Sequence, residues 1–523
     1  MASRSVWWRP GAAALGAGAA LVCGAPASAQ LIDASWLSAA SGNWSDDAAW
    51  SSAQFPTQRG PDDYRAIVSV TGSPFTITLD TSVVLAEFDL ISSDATVAGA
   101  GGSTIVVQDV LTLNDASLLG VAGVSSQGSL IFAGDICDDI CDTPLDHTGA
   151  SVEWNGTGDI LLGDGTVFTH GAGSVFTIGN AARLFWDGVG ARSELVNNGK
   201  ILKSSAGTTT FEDVLFTNNG DVCVTDGQLT LDNVGLVGLT LAAGAWEVSG
   251  DADLNIAGAA YTGLDARVVL DSPASTFGAI DSLADVGPSG FFRIRNGRNF
   301  VTTGDLSVSG DVRVGETGTS GSVLTVNGSL NNNGSVRLAP GAGTMFVTGG
   351  THNIGSNGEL GGEGIHFGAV TNNGLVDPGA DGTESPNNPG QLIIASGVYE
   401  QGENGRIRIE IGGLQPGLEH DVLQVDQALF DPMGDLLAGT LEIQLIDGFI
   451  PGLSDTFEVF RYAERVGQFA AFDGLMQQGI TFQAFFTDNA LVLQVVEVPA
   501  PSTVVVGAMA LGLAGGRRRR AAR

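Results

Sequence analysis

An all-β chain wound as a right-handed parallel β-helix, or solenoid, with a C-terminal β-rich cap is predicted from three observations. Short runs of alternating apolar residues recur from about Leu31 to Leu493, punctuated by Gly with Asn, Asp or Ser. Long helical patterns are nearly absent from that stretch, and the tripeptide Asn-Asn-Gly returns at spaced positions. Alternation with period two marks half-buried strands, and Gly or Asn is expected to supply the positive φ of tight turns. Thr104 to Val107, Leu229-Thr-Leu231-Asp-Asn and Arg406-Ile-Arg-Ile-Glu-Ile411 are examples.

The spacing selects among β architectures. Asn-Asn-Gly begins at Asn197, Asn218, Asn332 and Asn372, the last pair standing almost twice as far apart as the first, with an offset Ser356-Asn357-Gly358 between them. Val308-Ser-Gly310 and Val326-Asn-Gly328 repeat at a slightly shorter distance than Asn197 and Asn218. A unit of about 20 residues is too short for a four-stranded propeller blade but fits one solenoid coil. A set of Greek-key sandwiches, with turn signals about every 8–12 residues, is the competing architecture. Each such Asn reads either as a turn former tolerating the left-handed region or as one step of an amide ladder running from coil to coil.

The expected organisation is a signal peptide at 1–29, an N-terminal cap and first coils at 30–100, a parallel β-helix at 101–400, a β-rich cap at 401–496 and a sorting signal at 497–523. Arg4 and Arg9, the apolar stretch Gly11 to Gly24 and Ala27-Ser28-Ala29 form the three-part secretory pattern, with cleavage expected after Ala29. At the other end stand Pro499-Ala500-Pro501, an uncharged run from Thr503 to Gly516, and then Arg517, Arg518, Arg519 and Arg520. As a helix that run would span roughly 21 Å, short of the roughly 30 Å hydrocarbon core, which suits transient membrane contact better than a lasting anchor.

This order of Pro motif, apolar run and Arg cluster resembles the PEP-CTERM sorting signal, in a variant with Ala500 where the family has Glu. The resemblance implies a Gram-negative-type bacterium, cutting near the Pro motif by a membrane protease of the exosortase type, and delivery to the cell surface or extracellular matrix. A plain C-terminal membrane tail with positive-inside arginines is the alternative. Asn373-Gly-Leu-Val-Asp-Pro378-Gly379, Gly390-Gln-Leu-Ile-Ile, His420-Asp421-Val-Leu-Gln-Val and Asp455-Thr-Phe-Glu-Val-Phe460 resemble the closing part of autotransporter-type passenger β-helices, which implies a terminal β-rich cap.

Composition narrows the function. The 523 residues include 76 Gly and carry 23 basic against 57 acidic side chains, a formal −34, with Lys200 and Lys203 the only lysines. Without residues 1–29 and 498–523 the body loses seven arginines and no acids, leaving a charge near −41. Such a chain has no broad cationic surface for a phosphate backbone, so nucleic acid is excluded as a partner.

Trp36, Trp44 and Trp50 lie close together in sequence and read either as a platform for sugar rings or as a cap over the first coil. The Gly42-Asn43-Trp44 opening is similar to the start of other bacterial solenoid surface proteins. Asp135, Asp138, Asp139 and Asp142 form the densest acidic stretch, a candidate ligand set for a structural calcium ion; the competing reading is a solvated loop clipped by a disulfide between Cys137 and Cys141. No other cofactor is expected.

Catalytic signatures are missing. Pectin-processing β-helix enzymes place a His in Gly-His-Gly, but here Thr169 precedes His170. Arg293-Ile-Arg295-Asn-Gly-Arg298 has no adjacent Asp cluster and reads as an outward face paired with acids. HExxH, a hydrolase elbow in a suitable setting and GxxxxGK[ST] are absent. The expected function is a non-catalytic exported surface or matrix scaffold contacting exopolysaccharide or other cell-surface components. A carbohydrate-active lyase or hydrolase on the same scaffold is the alternative.

Overall fold

The computed structural model describes residues 30–59, 62–236, 238–379, 389–430 and 438–497. Both expected targeting segments, 1–29 and the motif from Pro499 to Arg520, lie outside these residues. Among the described residues, helix is limited to two single 3-10 turns, Asp47–Ala49 and Gly278–Ile280, and no helix is long and apolar enough to cross a membrane.

Strand alternation builds the interior directly. In Asp63–Val68 and Phe75–Leu79 every second side chain is buried, and the same rhythm continues through Ser129–Phe132, Ser151–Trp154 and Asp311–Val314. Successive coils stack these strands in parallel, with the apolar side chains inward, so the chain is a β-solenoid with one continuous core.

Three faces run along the rod. On the first, Ser129–Phe132 pairs with Ser151–Trp154, which pairs with Val175–Ile178, and this stacking continues through Ala245–Ser249, Phe291–Arg295 and Ser335–Leu338 to Thr440–Leu445. The second carries Ala95–Gly99, Ser117–Leu119, Cys137–Cys141 and Asp159–Gly163. Gly123–Ser126, Leu145–His147, Val167–His170, Glu194–Asn197 and Leu215–Asn218 form the third.

The coil is longer than the phrase spacing suggests. The first face advances from Ser129 to Glu359 in ten pairing steps, so one coil averages about 23 residues, within the range of solenoid repeats. The shorter Asn-Asn-Gly gap is one true coil, since Asn197 lies opposite Asn218. The longer gap is two coils, with Ile354 standing between Asn332 and Asn372. The Val-Ser-Gly and Val-Asn-Gly phrases do not mark a coil: Val308 pairs with Asn332, whereas Val326 pairs with Val347 on another face. Corner lengths differ from coil to coil, so a matching phrase need not occupy a matching place.

The recurring Gly act by packing, while the Asn are buried and two of them, Asn332 and Asn372, also accept from the N–H of the Gly two residues on. Asn197, Asn218, Asn332 and Asn372 are buried and none has positive φ. The glycines that follow are needed for close approach: a Cβ on Gly220, Gly334 or Gly374 would lie 2.0–2.2 Å from a carbonyl oxygen of the preceding coil.

Coils already occupy the 30–100 segment, as expected, and parallel stacking continues past residue 400 into the segment expected to be the cap. It begins at Leu31–Ser35, laid on Asp63–Val68, and persists through Arg406–Ile411 and Thr440–Leu445. Antiparallel pairing closes the far end, where Thr456–Val466 meets Ala490–Glu497, which in turn meets Ile480–Phe486. Reversing direction there lets one end of the stack finish in a hairpin-like layer instead of an open edge.

Candidate functional site

The three tryptophans at the start of the rod form a cap. Trp36, Trp44 and Trp50 are 3%, 0% and 1% exposed, so no ring face is free for a sugar, and the platform reading is corrected. Trp50 packs against Trp36 and Trp44 with ring centroids 5.2 and 4.8 Å away, and Trp44 meets Phe88 of the strand Val83–Leu90 at 5.6 Å. Indole hydrogen bonds hold the arrangement: Trp44 Nε1 donates to Pro56 O at 3.2 Å and Trp50 Nε1 to Trp44 O at 2.9 Å.

The centre of the acidic stretch, Cys137–Cys141, is a strand, with Asp135 and Asp142 in the bends that flank it. Cys137 and Cys141 begin and end the strand Cys137–Cys141 and both are free thiols. Extended chain of this length separates their Cα atoms by about 13 Å, and a disulfide requires less than about 7 Å, so the expected bridge is not made. Alternation also scatters the aspartates. Asp138 points inward, accepts from Ala116 N at 2.9 Å and is pushed up to about 7 by burial, whereas Asp139 faces outward beside Cys137 Sγ at 3.1 Å. Asp135 accepts from Thr157 Oγ1 at 2.9 Å. Among the described residues no group of three His, Cys, Asp or Glu side chains converges as metal ligands.

A buried polar ladder along the third face is only partly legible from the tripeptide. Ser126, His147, His170, Asn197 and Asn218 stand in register on consecutive coils. His147 Nδ1 bonds Ser126 Oγ and its Nε2 bonds Ser174 Oγ, each at 3.1 Å. His170 Nδ1 bonds Asn197 Oδ1 at 2.8 Å, and Asn197 Nδ2 donates to Asn218 Oδ1 at 2.8 Å and to Asp221 O at 3.1 Å. Further along, Asn332 Nδ2 donates to Glu359 O and Asn372 Nδ2 to Arg406 O, tying this corner to the first face of the following coil. The ladder reading therefore holds for Asn197 and Asn218, whereas Asn332 and Asn372 also accept from Gly334 N and Gly374 N, two residues on, as turn formers do.

Burial keeps these imidazoles neutral. His147 is pushed down to about 4 by desolvation and by neighbouring His170, and His366, fully buried beside His352 at 3.2 Å, is pushed down to about 4 as well. The unfolded chain takes up a proton near pH 6.5 while folded His147 stays neutral, so stability is lost as pH falls from 6.5 towards 4. Asp138 and Asp377, both raised to about 7, act oppositely, because the folded state protonates them first on acidification. His147→Gln isolates one contribution: between about pH 6.5 and 5 the native chain should lose about 2 kcal/mol more than the variant in urea unfolding. Parallel pH profiles would show that His147 is not held neutral.

The outer side of the first face carries a charged array. Arg293, Arg313 and Arg337 are in register on three consecutive coils, a like-charge column that would repel itself if unpaired. Carboxylates neutralise it: Arg293 meets Glu316 at 3.3 Å, Arg313 meets Asp311 at 2.7 Å and Arg337 meets Glu359 at 2.8 Å. Arg295 reaches Glu247, Asp271 and Glu316 at 3.1, 2.8 and 2.9 Å. Arg267 and Arg313 also lie over the Phe291 ring, at 5.4 and 5.1 Å from its centroid. Arg293 and Arg295 therefore form the paired outward face expected of the phrase, whereas Arg298 donates to the carbonyl of Pro273.

Sequence reasoning missed a buried carboxylate pair near the far end. Asp421 accepts from Gly390 N at 2.8 Å and from Glu410 N at 2.7 Å, while Asp377 takes Arg408 Nη1 at 2.9 Å. Desolvation raises both groups, Asp421 well above the ordinary carboxylate range. In the sequence His420-Asp421 stands out only as part of a phrase; nothing local marks the Asp as a clip between strands. No family model matches this chain, and no curated protein matches it either.

Proposed function

We propose that the protein is an exported, non-catalytic scaffold of the bacterial cell surface or extracellular matrix, acting in adhesion or matrix structure. The observation that carries this reading is the uninterrupted parallel stacking on the first face, from Leu31–Ser35 to Thr440–Leu445, which makes one long body from short strands. Backbone pairing between coils gives rigidity, and repeated surface groups offer weak contacts that gain strength through multivalency. Exopolysaccharide or other cell-surface components are the partners on this reading, with no nucleic acid and no cofactor.

Export begins with removal of residues 1–29. An exosortase-type protease then acts near Pro499-Ala500-Pro501, after transient membrane contact through the apolar run preceding Arg517. Ion pairing on the outer face supports a structural role, since Arg295 and its three carboxylates hold one another in a static network.

Mass spectrometry of the protein recovered from its native cell surface tests location and processing together. An N-terminus at Gln30 and a C-terminus close to the Pro motif are expected. Recovery from the cytoplasm with both ends intact would overturn the reading, as would turnover of an acidic or neutral polysaccharide that a single Asp substitution abolishes.

A further inference from the structure

Two loops near the far end of the rod repeat one phrase. Leu414-Gln415-Pro416-Gly417-Leu418 and Phe449-Ile450-Pro451-Gly452-Leu453 each place an apolar residue, one further residue and Pro-Gly-Leu in that order. They leave adjacent coils at the same point, for Ile411 pairs with Leu445, and Ile446 N donates to Ile411 O at 3.0 Å. Large apolar side chains are exposed on both: Leu414 and Leu418 at 51% and 72%, Ile450 and Leu453 at 69% and 61%. Singly exposed aliphatics are ordinary, but a cluster on two neighbouring loops marks a contact surface.

Each loop is braced from within. Glu419 Oε2 accepts from Leu414 N at 2.9 Å and from Gln415 N at 3.0 Å, and Asp455 Oδ2 accepts from Gly452 N at 2.7 Å. His420, at the end of the first loop, and Phe449, in the second, both pack edge-on against Phe457, with ring centroids 5.3 and 6.2 Å away. The loops therefore stand on one footing, and these two carboxylates are held by their own backbone amides. Neither 412–419 nor 446–455 contains a Lys or Arg, so the surface offers aliphatic tips and no cation for a phosphate headgroup.

What lies against the tips follows from where the chain goes next. Val495 N donates to Asp455 O and Val495 O accepts from Ser454 N, each at 2.9 Å, so the last strand, Ala490–Glu497, runs out beside the second loop. Thr503, which opens the uncharged run ahead of Arg517, follows Glu497 by six residues, at most roughly 20 Å of extended chain. On the reading given above that run contacts a membrane, and it then brings the bilayer surface to within this distance of the loops. The run alone falls short of the hydrocarbon thickness, and a marginal anchor holds stably only with a second contact. We propose that the two Pro-Gly-Leu loops are that second contact, a foot whose aliphatic tips enter a phospholipid bilayer surface and seat the far end of the rod on it. This deepens the surface-scaffold reading, on which it rests, by naming a lipid surface as a partner and the end of the rod that meets it.

Flotation of the full chain with phosphatidylcholine vesicles tests it. Linked contacts multiply in strength, so Leu418→Ser combined with Leu453→Ser should lower the vesicle partition coefficient about tenfold or more even with both chain ends present. The melting curve should be unchanged, because both side chains are exposed, and each single substitution should give part of the loss. Leu239→Ser, at an equally exposed position several coils earlier, should leave partitioning unchanged. No vesicle binding by the native chain, an undiminished partition coefficient in the double variant, or an equal loss in Leu239→Ser would each overturn the proposal. A rise in vesicle binding by the double variant would overturn it too, since the loops would then have been holding the chain's own apolar run. So would a native dimer in sedimentation that the double variant dissolves, which would put a second copy on the tips. If the double variant binds undiminished while the protein is recovered from the cell surface with the expected ends, the foot alone falls. Should lipid binding depend on the loops while the protein is found in the cytoplasm with uncut ends, the surface reading falls instead.

Discussion

Trp44→Ala is expected to destabilise the start of the rod by about 3–5 kcal/mol, the range for removing a fully buried large aromatic. Trp44 is 0% exposed, packs on Trp50 and Phe88, and its indole donates to Pro56 O. Alanine removes those ring contacts and leaves a cavity between the cap and the first coils. Because each coil of a solenoid touches only its neighbours, the damage should be local. Hydrogen exchange is the direct measurement: Leu31–Ser35 and Asp63–Val68 should lose protection while Asp311–Val314 keeps it. A loss below about 1 kcal/mol, or an even loss of protection along the rod, would show that the tryptophans are not a cap.

Asn372→Ala should cost about 3 kcal/mol or more, since leaving buried partners unsatisfied costs about 1–3 kcal/mol each. Asn372 Nδ2 lies 3.1 Å from Tyr399 OH, 3.1 Å from Gln401 Oε1 and 3.0 Å from Arg406 O, and its Oδ1 accepts from Gly374 N at 3.0 Å. Solvent cannot replace the amide at this corner, because Asn372 is 0% exposed. Asn353, whose Nδ2 donates to Asn331 Oδ1 at 3.0 Å on the exposed side, is the matched control and should cost less than about 0.5 kcal/mol as Asn353→Ala. Equal losses in denaturant unfolding for the two variants would mean that the inner ladder adds nothing beyond an ordinary surface amide pair.

The inner ladder also marks the boundary between what is legible in the sequence and what is not. Asn197 and Asn218 announce a coil by their spacing, and the register places them opposite each other. His147 and His170 occupy equivalent places on the same ladder, yet no shared phrase links them to the asparagines. The inward position accepts any side chain of suitable size that can bond its neighbour, so a ladder written in two residue types escapes a search for repeats. Asp135 to Asp142 misleads for a different reason: a dense acidic string suggests a loop, but burial of Ile140 and Asp138 on alternate positions makes its centre a strand. The indoles at the front are ambiguous because an exposed platform and a buried cap use the same residues.

Alternation by itself determined that this chain would be strands, and the returning Asn-Asn-Gly that the strands would coil in parallel. Both signals are local, since inward and outward positions are set by the two-residue period of the backbone. Only the tertiary structure decided which residues lie above one another, where the stack breaks between Leu215–Asn218 and Thr240–Leu241, and that the glycines make room for the neighbouring coil. The reason is cumulative: each corner adds its own number of residues, so vertical register depends on every preceding corner, and a one-residue change in any of them sends a side chain to the opposite side of the sheet.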